Sequence, residues 1–173
     1  FVDVAAPGQT IYNVYAGGYG YGNGTSDACA LTSGSTALVM SHFDTLQSQQ
    51  VGARLQQTTY NIDTIPGNAS FIGRLGYGRI DLFRAISEPM RPFIHMTQRN
   101  YTDGNDDIFA ATDTVTISGI FLNYLSISSA SLTAKITSLS ANAVVIDSII
   151  TIGTLGELQM AAPGDFFRFV VSP

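Results

Sequence analysis

The sequence predicts an α/β segment followed by an all-β sandwich, and three observations lead there. Val2 and Val4 alternate around Asp3 and run into Ala5-Ala6-Pro7-Gly8, the pattern of a strand stopped by a residue that cannot donate to a ladder. Asn23-Gly24-Thr25-Ser26-Asp27-Ala28 stands directly before an apolar helix pattern. At Glu88-Pro89-Met90-Arg91-Pro92 the hydrophobic period changes from helical to alternating, with two prolines stiffening the junction. Residues 1–88 are therefore expected to form the α/β part, 89–92 a linker and 93–173 the β part.

Taken in order, residues 1–5 read as a buried strand, and Ile11, Tyr12, Val14 and Tyr15 as a short extended piece. Gly17 to Gly24 holds five glycines and reads as a flexible loop. From Ala28 to about Phe43, apolar Leu31, Leu38, Val39 and Phe43 among small residues predict a buried helix. Gly34 inside it, about 1 kcal/mol worse than Ala, predicts close packing against a neighbour. Cys29 is expected to be a small core residue of the same helix.

A second helix is expected from Asp44-Thr45, with Leu46, Val51 and Leu55 inward and Gln47, Gln49, Gln50, Arg54, Gln56 and Gln57 in water. Residues 58–75 read as loop, in which Asn68-Ala69-Ser70 formally matches a glycosylation acceptor. Leu82, Ala85 and Ile86 predict a last short helix that Pro89 stops.

Beyond the linker, Val115 and Ile117, Leu132 to Ile136, and Phe167 to Val171 alternate as half-buried strands do, while Val144 to Ile152 is apolar enough for one central strand. Turn residues at Asp103-Gly104-Asn105, Gly153 and Pro163-Gly164 separate about six such runs. A β-sandwich of immunoglobulin or fibronectin type is the natural architecture, for which about seven strands are expected.

The chain has 173 residues, 8 Lys and Arg against 13 Asp and Glu, and a net charge of −5. Without a basic cluster to neutralise phosphates it has no nucleic-acid footprint. No apolar run approaches the ~18 residues of a membrane span, and nothing at the start reads as a signal peptide. Entry at Phe1 in mid-strand predicts a fragment of a longer domain. Its scarce charges and abundant Ser, Thr, Asn and Gly suit a secreted or cell-surface protein.

Ser26 is the candidate nucleophile. A serine after Gly-Thr at the mouth of a helix has its hydroxyl at a turn and its N–H at the positive helix end, as an oxyanion hole requires. The same residue types also serve as helix caps. The neighbours decide between the two. Val2-Asp3-Val4-Ala5-Ala6-Pro7-Gly8, then Gly24-Thr25-Ser26 opening a long helix, then Gly76-Tyr77-Gly78-Arg79-Ile80-Asp81 resemble, in order and spacing, the closing part of the catalytic domain of the subtilisin-like serine proteases.

The resemblance covers about residues 1–88. It implies a secreted serine endopeptidase in which Ser26 attacks the peptide carbonyl, its own N–H helps to hold the oxyanion, and Gly24 and Thr25 lie at the rim of the substrate cleft. It also implies that the base and its orienting carboxylate come from D-[ST]-G and H-G-T-H motifs that this chain does not contain. His42 falls late in the helix begun by Ser26, more than about 20 Å away at ~1.5 Å per residue, so it cannot be that base. His95 reads as a packing or edge residue of the β part.

Asp27 stands where the family has methionine, Ala30 where it has proline and Leu31 where it has histidine. A carboxylate beside the oxyanion hole opposes the charge developing there unless its side chain turns away. The isolated chain is accordingly expected to hydrolyse nothing. Its partners would be a peptide substrate and the upstream part of its own domain. A non-catalytic scaffold whose sandwich binds a cell surface, a polysaccharide or a protein is the alternative. A third reading is a truncated chain that dimerises through a bared sheet edge and helix. No cofactor is implied. Asp103, Asn105 and Asp107 offer oxygens of the kind calcium takes, and hairpin turns draw on the same residues.

Overall fold

The computed structural model describes residues 2–172; the readings placed on Phe1 and Pro173 lie outside them. The chain divides into two compact units, Phe1–Met90 and Arg91–Pro173.

In the first unit, β1 (Ile11–Tyr15) and β2 (Gly18–Gly22) form an antiparallel hairpin. The stretch expected to be a flexible loop is thus a strand. Glycine alternates in it with Tyr19 and Tyr21, and Tyr12 stacks on Tyr19 at 5.7 Å between ring centroids. On the opposite face the Tyr15 side chain lies over Gly20 and Gly22, where a Cβ would crowd its ring at 3.3 Å and overlap its hydroxyl, respectively. Residues 2–5 are not a full strand. They make one parallel bridge, Ala5 to Arg79, and Val2 is exposed. Around that bridge Ala5 N–H donates to Gly78 O (2.8 Å), Ile80 N–H to Ala5 O (2.9 Å) and Tyr77 N–H to Asp3 O (2.8 Å).

Helix α1 spans Thr25–His42, α2 Ser48–Gln57 and α3 Leu82–Ser87, with a 3-10 turn at Pro66–Phe71. Val39, Val51, Leu55 and Ala85 form their core, flanked by Phe43, Leu46, Leu82 and Ile86. Val39, Val51 and Leu55 each contribute roughly 1.5–3 kcal/mol by leaving water.

Only Ser35 and Val39 of α1 are buried, so the expectation of a buried central helix is corrected. The core reaches only its C-terminal half, and Leu31, one turn before Ser35, stays 40 % exposed. Cys29 is exposed rather than a core residue, and nothing lies within 4 Å of the position a Gly34 Cβ would take.

Helix α2 begins at Ser48, after a turn at Asp44-Thr45, and its expected water face is partly buried: Gln50 is 2 % and Arg54 0 % exposed. Gln50 Oε1 accepts the Gln47 N–H at the helix start (3.0 Å). Arg54 reaches the end of α3, where the last carbonyls run short of helical donors and the Glu88 N–H serves only Arg84 O (3.1 Å). Its Nε donates to Ala85 O (2.8 Å) and its Nη2 to Arg84 O (3.2 Å) and to Glu88 O. At the other end of α3, Asp81 accepts the Arg84 N–H (3.0 Å) as N-cap. A hydrogen bond to Glu88 (2.6 Å) holds the Arg84 guanidinium above its usual pKa.

The second unit contains, among its described residues, β3 (Ile94–Thr102), β4 (Thr114–Asn123), β5 (Leu132–Lys135), β6 (Ala143–Asp147), β7 (Ile149–Gly153), β8 (Met160–Ala161) and β9 (Phe167–Val171). The larger sheet has the order β3-β4-β9-β6, with β8 also on β4; β5 and β7 form a separate ribbon. All pairs are antiparallel. The run expected as one central strand is two, β6 and β7, and Ser148 between them moves the chain from the sheet to the ribbon.

Phe121 and Phe167 of the sheet and Ile150 of the ribbon share one core with Leu155. Asn123, fully buried, ties three loops to it. Its Oδ1 accepts the N–H groups of Phe93 (3.0 Å) and Leu125 (3.3 Å), and its Nδ2 donates to the carbonyls of Ser126 (2.8 Å), Leu155 (3.2 Å) and Gly156 (3.1 Å).

Candidate active site

The site is built where the end of the first extended segment meets the start of α1. Gly8 O accepts the Gly24 N–H (2.8 Å), and a Cβ on Gly8 would stand 2.7 Å from Gly24 O and 3.4 Å from Ala28 Cβ. Only glycine allows the two backbones to approach so closely. Thr10 N–H donates to Asn23 Oδ1 (2.6 Å), fastening the approach to the helix from the same side.

Gly24 is the N-cap of α1, and Ala28 N–H makes the first helical bond, to Gly24 O (3.4 Å). The N–H groups of Ser26 and Asp27 precede that bond and point out of the positive helix end. Thr25 and Ser26 are exposed and Gly24 is half-buried. The Ser26 hydroxyl is therefore open to a substrate on a rigid support, beside main-chain donors that can receive a negatively charged oxygen.

Asp27 is the departure with a geometric consequence. Asn13 Nδ2 of β1 donates to its Oδ1. A Cβ at Gly24 would lie 3.0 Å from Ser26 Oγ and 3.3 Å from Asp27 Oδ2, so hydroxyl and carboxylate flank one spot. The carboxylate is held towards the hairpin without leaving the neighbourhood of the hydroxyl.

No imidazole accompanies Ser26 within its unit. His42 ends α1 and packs edge-on against Phe43 at 4.5 Å. His95 belongs to the second unit, where its ring meets those of Phe93 (4.6 Å) and Tyr124 (5.4 Å). In the Gly76-Tyr77-Gly78 motif the two glycines have φ of 66° and 121°, and a Cβ on either would meet a main-chain oxygen at 2.3 Å, Asp3 O or Tyr60 O respectively. The motif thus lets Arg79 pair with both Ala5 and Tyr60.

Residues 1–78 match the model of the subtilase family, Peptidase_S8. The match supports a subtilisin-like protease segment here, and it spans both the Val2–Gly8 segment and Ser26. No curated protein matches the chain.

At the loop weighed for calcium, Asp103 Oδ1 accepts the N–H groups of Asn105 (2.9 Å) and Asp107 (3.1 Å), and Asn105 Oδ1 accepts that of Asp106. These oxygens serve the turn itself, while Asp103 Oδ2 is enclosed without a partner. Among the described residues no group of three or more His, Cys, Asp or Glu is placed to hold a metal ion, and no helix is long and apolar enough to cross a membrane.

Proposed function

We propose that residues 1–88 are the closing part of a secreted subtilisin-like serine endopeptidase domain, with Ser26 as nucleophile and its backbone N–H in the oxyanion hole. The general-base histidine and its orienting aspartate come from polypeptide outside this chain, and the chain alone hydrolyses nothing. One observation carries the reading: an exposed serine on the first turn of α1, pinned by Gly24 N–H to Gly8 O of the Val2–Gly8 segment, within the stretch that matches the subtilase family.

Chemically, the base takes the hydroxyl proton as Oγ attacks the carbonyl carbon, and the orphan N–H groups of the helix start receive the oxyanion. Collapse of the tetrahedral intermediate expels the amine, and water then releases the acyl group. Residues 93–173, joined through 89–92, are an appended sandwich of immunoglobulin or fibronectin type. Its two sheets sharing the Phe121, Phe167 and Ile150 core support that assignment.

The carboxylate of Asp27 beside Ser26 favours one other reading, a non-catalytic scaffold. A fluorophosphonate probe separates the two. It should leave the 173-residue chain unlabelled. The protein carrying the upstream segment should be labelled, and Ser26→Ala should abolish that. Absence of labelling in the longer protein favours the scaffold.

A further inference from the structure

We propose that Asp27 makes this site selective for a basic substrate side chain beside the scissile bond, with Asn13 as the positioning residue that fixes its carboxylate. The inference rests on the reading of Ser26 as nucleophile.

Between Asp3 and Asp44 the chain has no Asp, Glu, Lys or Arg other than Asp27. The part of the site that this chain supplies is therefore neutral apart from Asp27. That charge is half-buried and neighbours Ser26 in sequence. In space, Ser26 Oγ and Asp27 Oδ2 flank one point beside Gly24, at 3.0 and 3.3 Å.

Its one hydrogen-bond partner among the described residues is neutral, the Asn13 amide, which occupies Oδ1 and leaves Oδ2 on the side of the hydroxyl. No ion pair among the described residues compensates it. A half-buried carboxylate satisfied on one oxygen by an uncharged donor has no counter-charge among the described residues, and a substrate Lys or Arg supplies one.

The same cation offsets the repulsion between Asp27 and the developing oxyanion, so it acts in the transition state as well as in binding. A substrate Glu adds a second negative charge at the same place. Asn13 contributes through β1: the hairpin register sets Asn13 opposite Gly20, and its amide is anchored there to reach α1. Without that hydrogen bond the Asp27 rotamer is free and its charge moves out into water.

The test uses the protein that carries the upstream catalytic segment and internally quenched peptides differing only in Lys, Gln or Glu on either side of the scissile bond. On one of those sides, kcat/KM is expected to favour Lys over Gln by roughly tenfold and Gln over Glu by a similar factor, as a partly screened charge pair gives. In Asp27→Asn and in Asp27→Met both ratios collapse towards one, whatever happens to the absolute rates. In Asn13→Ala they shrink, and Asp27→Glu keeps the order Lys, Gln, Glu. Ratios that are the same in the parent and in Asp27→Asn, with Ser26 still labelled by a fluorophosphonate, overturn the selectivity and leave the hydrolase reading standing. If Ser26 is never labelled, both fall.

Discussion

Arg54 Nε donates to Ala85 O at 2.8 Å, joining a fully buried guanidinium in α2 to the last turn of α3. The same side chain donates to Arg84 O, which also accepts the Glu88 N–H (3.1 Å), and to Glu88 O, so one residue binds three carbonyls at the end of a helix.

Replacing Arg54 by Met keeps the apolar stem and removes the guanidinium donor from the Ala85 and Glu88 carbonyls, while Arg84 O keeps the Glu88 N–H. The expected loss is about 3 kcal/mol in urea unfolding of the chain. Arg54→Lys retains the charge but not the planar fork, and a loss of about 2 kcal/mol is expected. Full stability in the lysine variant would show that charge rather than geometry matters there.

Two glycine substitutions should act in opposite directions. Gly34 lies inside α1 with open space where a Cβ would go, so Gly34→Ala should stabilise by about 0.5–1 kcal/mol. Gly78 has φ 121° and Tyr60 O at 2.3 Å from that position. Gly78→Ala should therefore cost about 2 kcal/mol or more and loosen the bridges at Arg79. Thermal melts of the two variants, read side by side, check the sign as well as the size.

Asn123→Asp exchanges one heavy atom, Nδ2 for an oxygen, and so turns a donor into an acceptor facing three carbonyls, those of Ser126, Leu155 and Gly156. A buried carboxylate facing acceptors should destabilise the second unit by about 3 kcal/mol or more. Faster amide exchange across the second unit is the signature to look for, because the carboxylate still accepts the Phe93 and Leu125 N–H groups and the loss falls on the unit as a whole.

Cys29 is exposed, so the native chain should release one equivalent of thionitrobenzoate from Ellman's reagent, at the rate of an accessible thiol. A reaction that waits for denaturant would contradict the exposure seen for this face of α1.

The helices were legible because their periods and stops lie in the chain itself: the Gly-Thr-Ser start of α1, the Val51 and Leu55 spacing in α2, and Asp81 and Pro89 around α3. The motif glycines at 8, 76 and 78 were legible too, and the backbone oxygens facing them give the reason.

Arg54 was not. Residue type assigned it to water, whereas a long stem and a carbonyl-rich helix end drew it inward. Nor was β2, because glycine alternating with tyrosine hides a strand period behind a loop composition. The division of Val144–Ile152 between two sheets was hidden by its largely apolar character, in which only the Asp147-Ser148 pair marks the change. At the site, Ser26 was legible from the motif and Asp27 from its departure, but the role of Asn13 depends on a hairpin pairing that no local pattern announces.

The tyrosine-bearing hairpin gives the molecule a built-in optical label. The chain has no tryptophan and 8 tyrosines, of which Tyr12, Tyr15, Tyr19 and Tyr21 fall within β1 and β2. Its ultraviolet emission therefore comes in large part from a dozen residues leading into Ser26. Quenching or polarisation of that light would follow events at the doorstep of the nucleophile without any dye being attached.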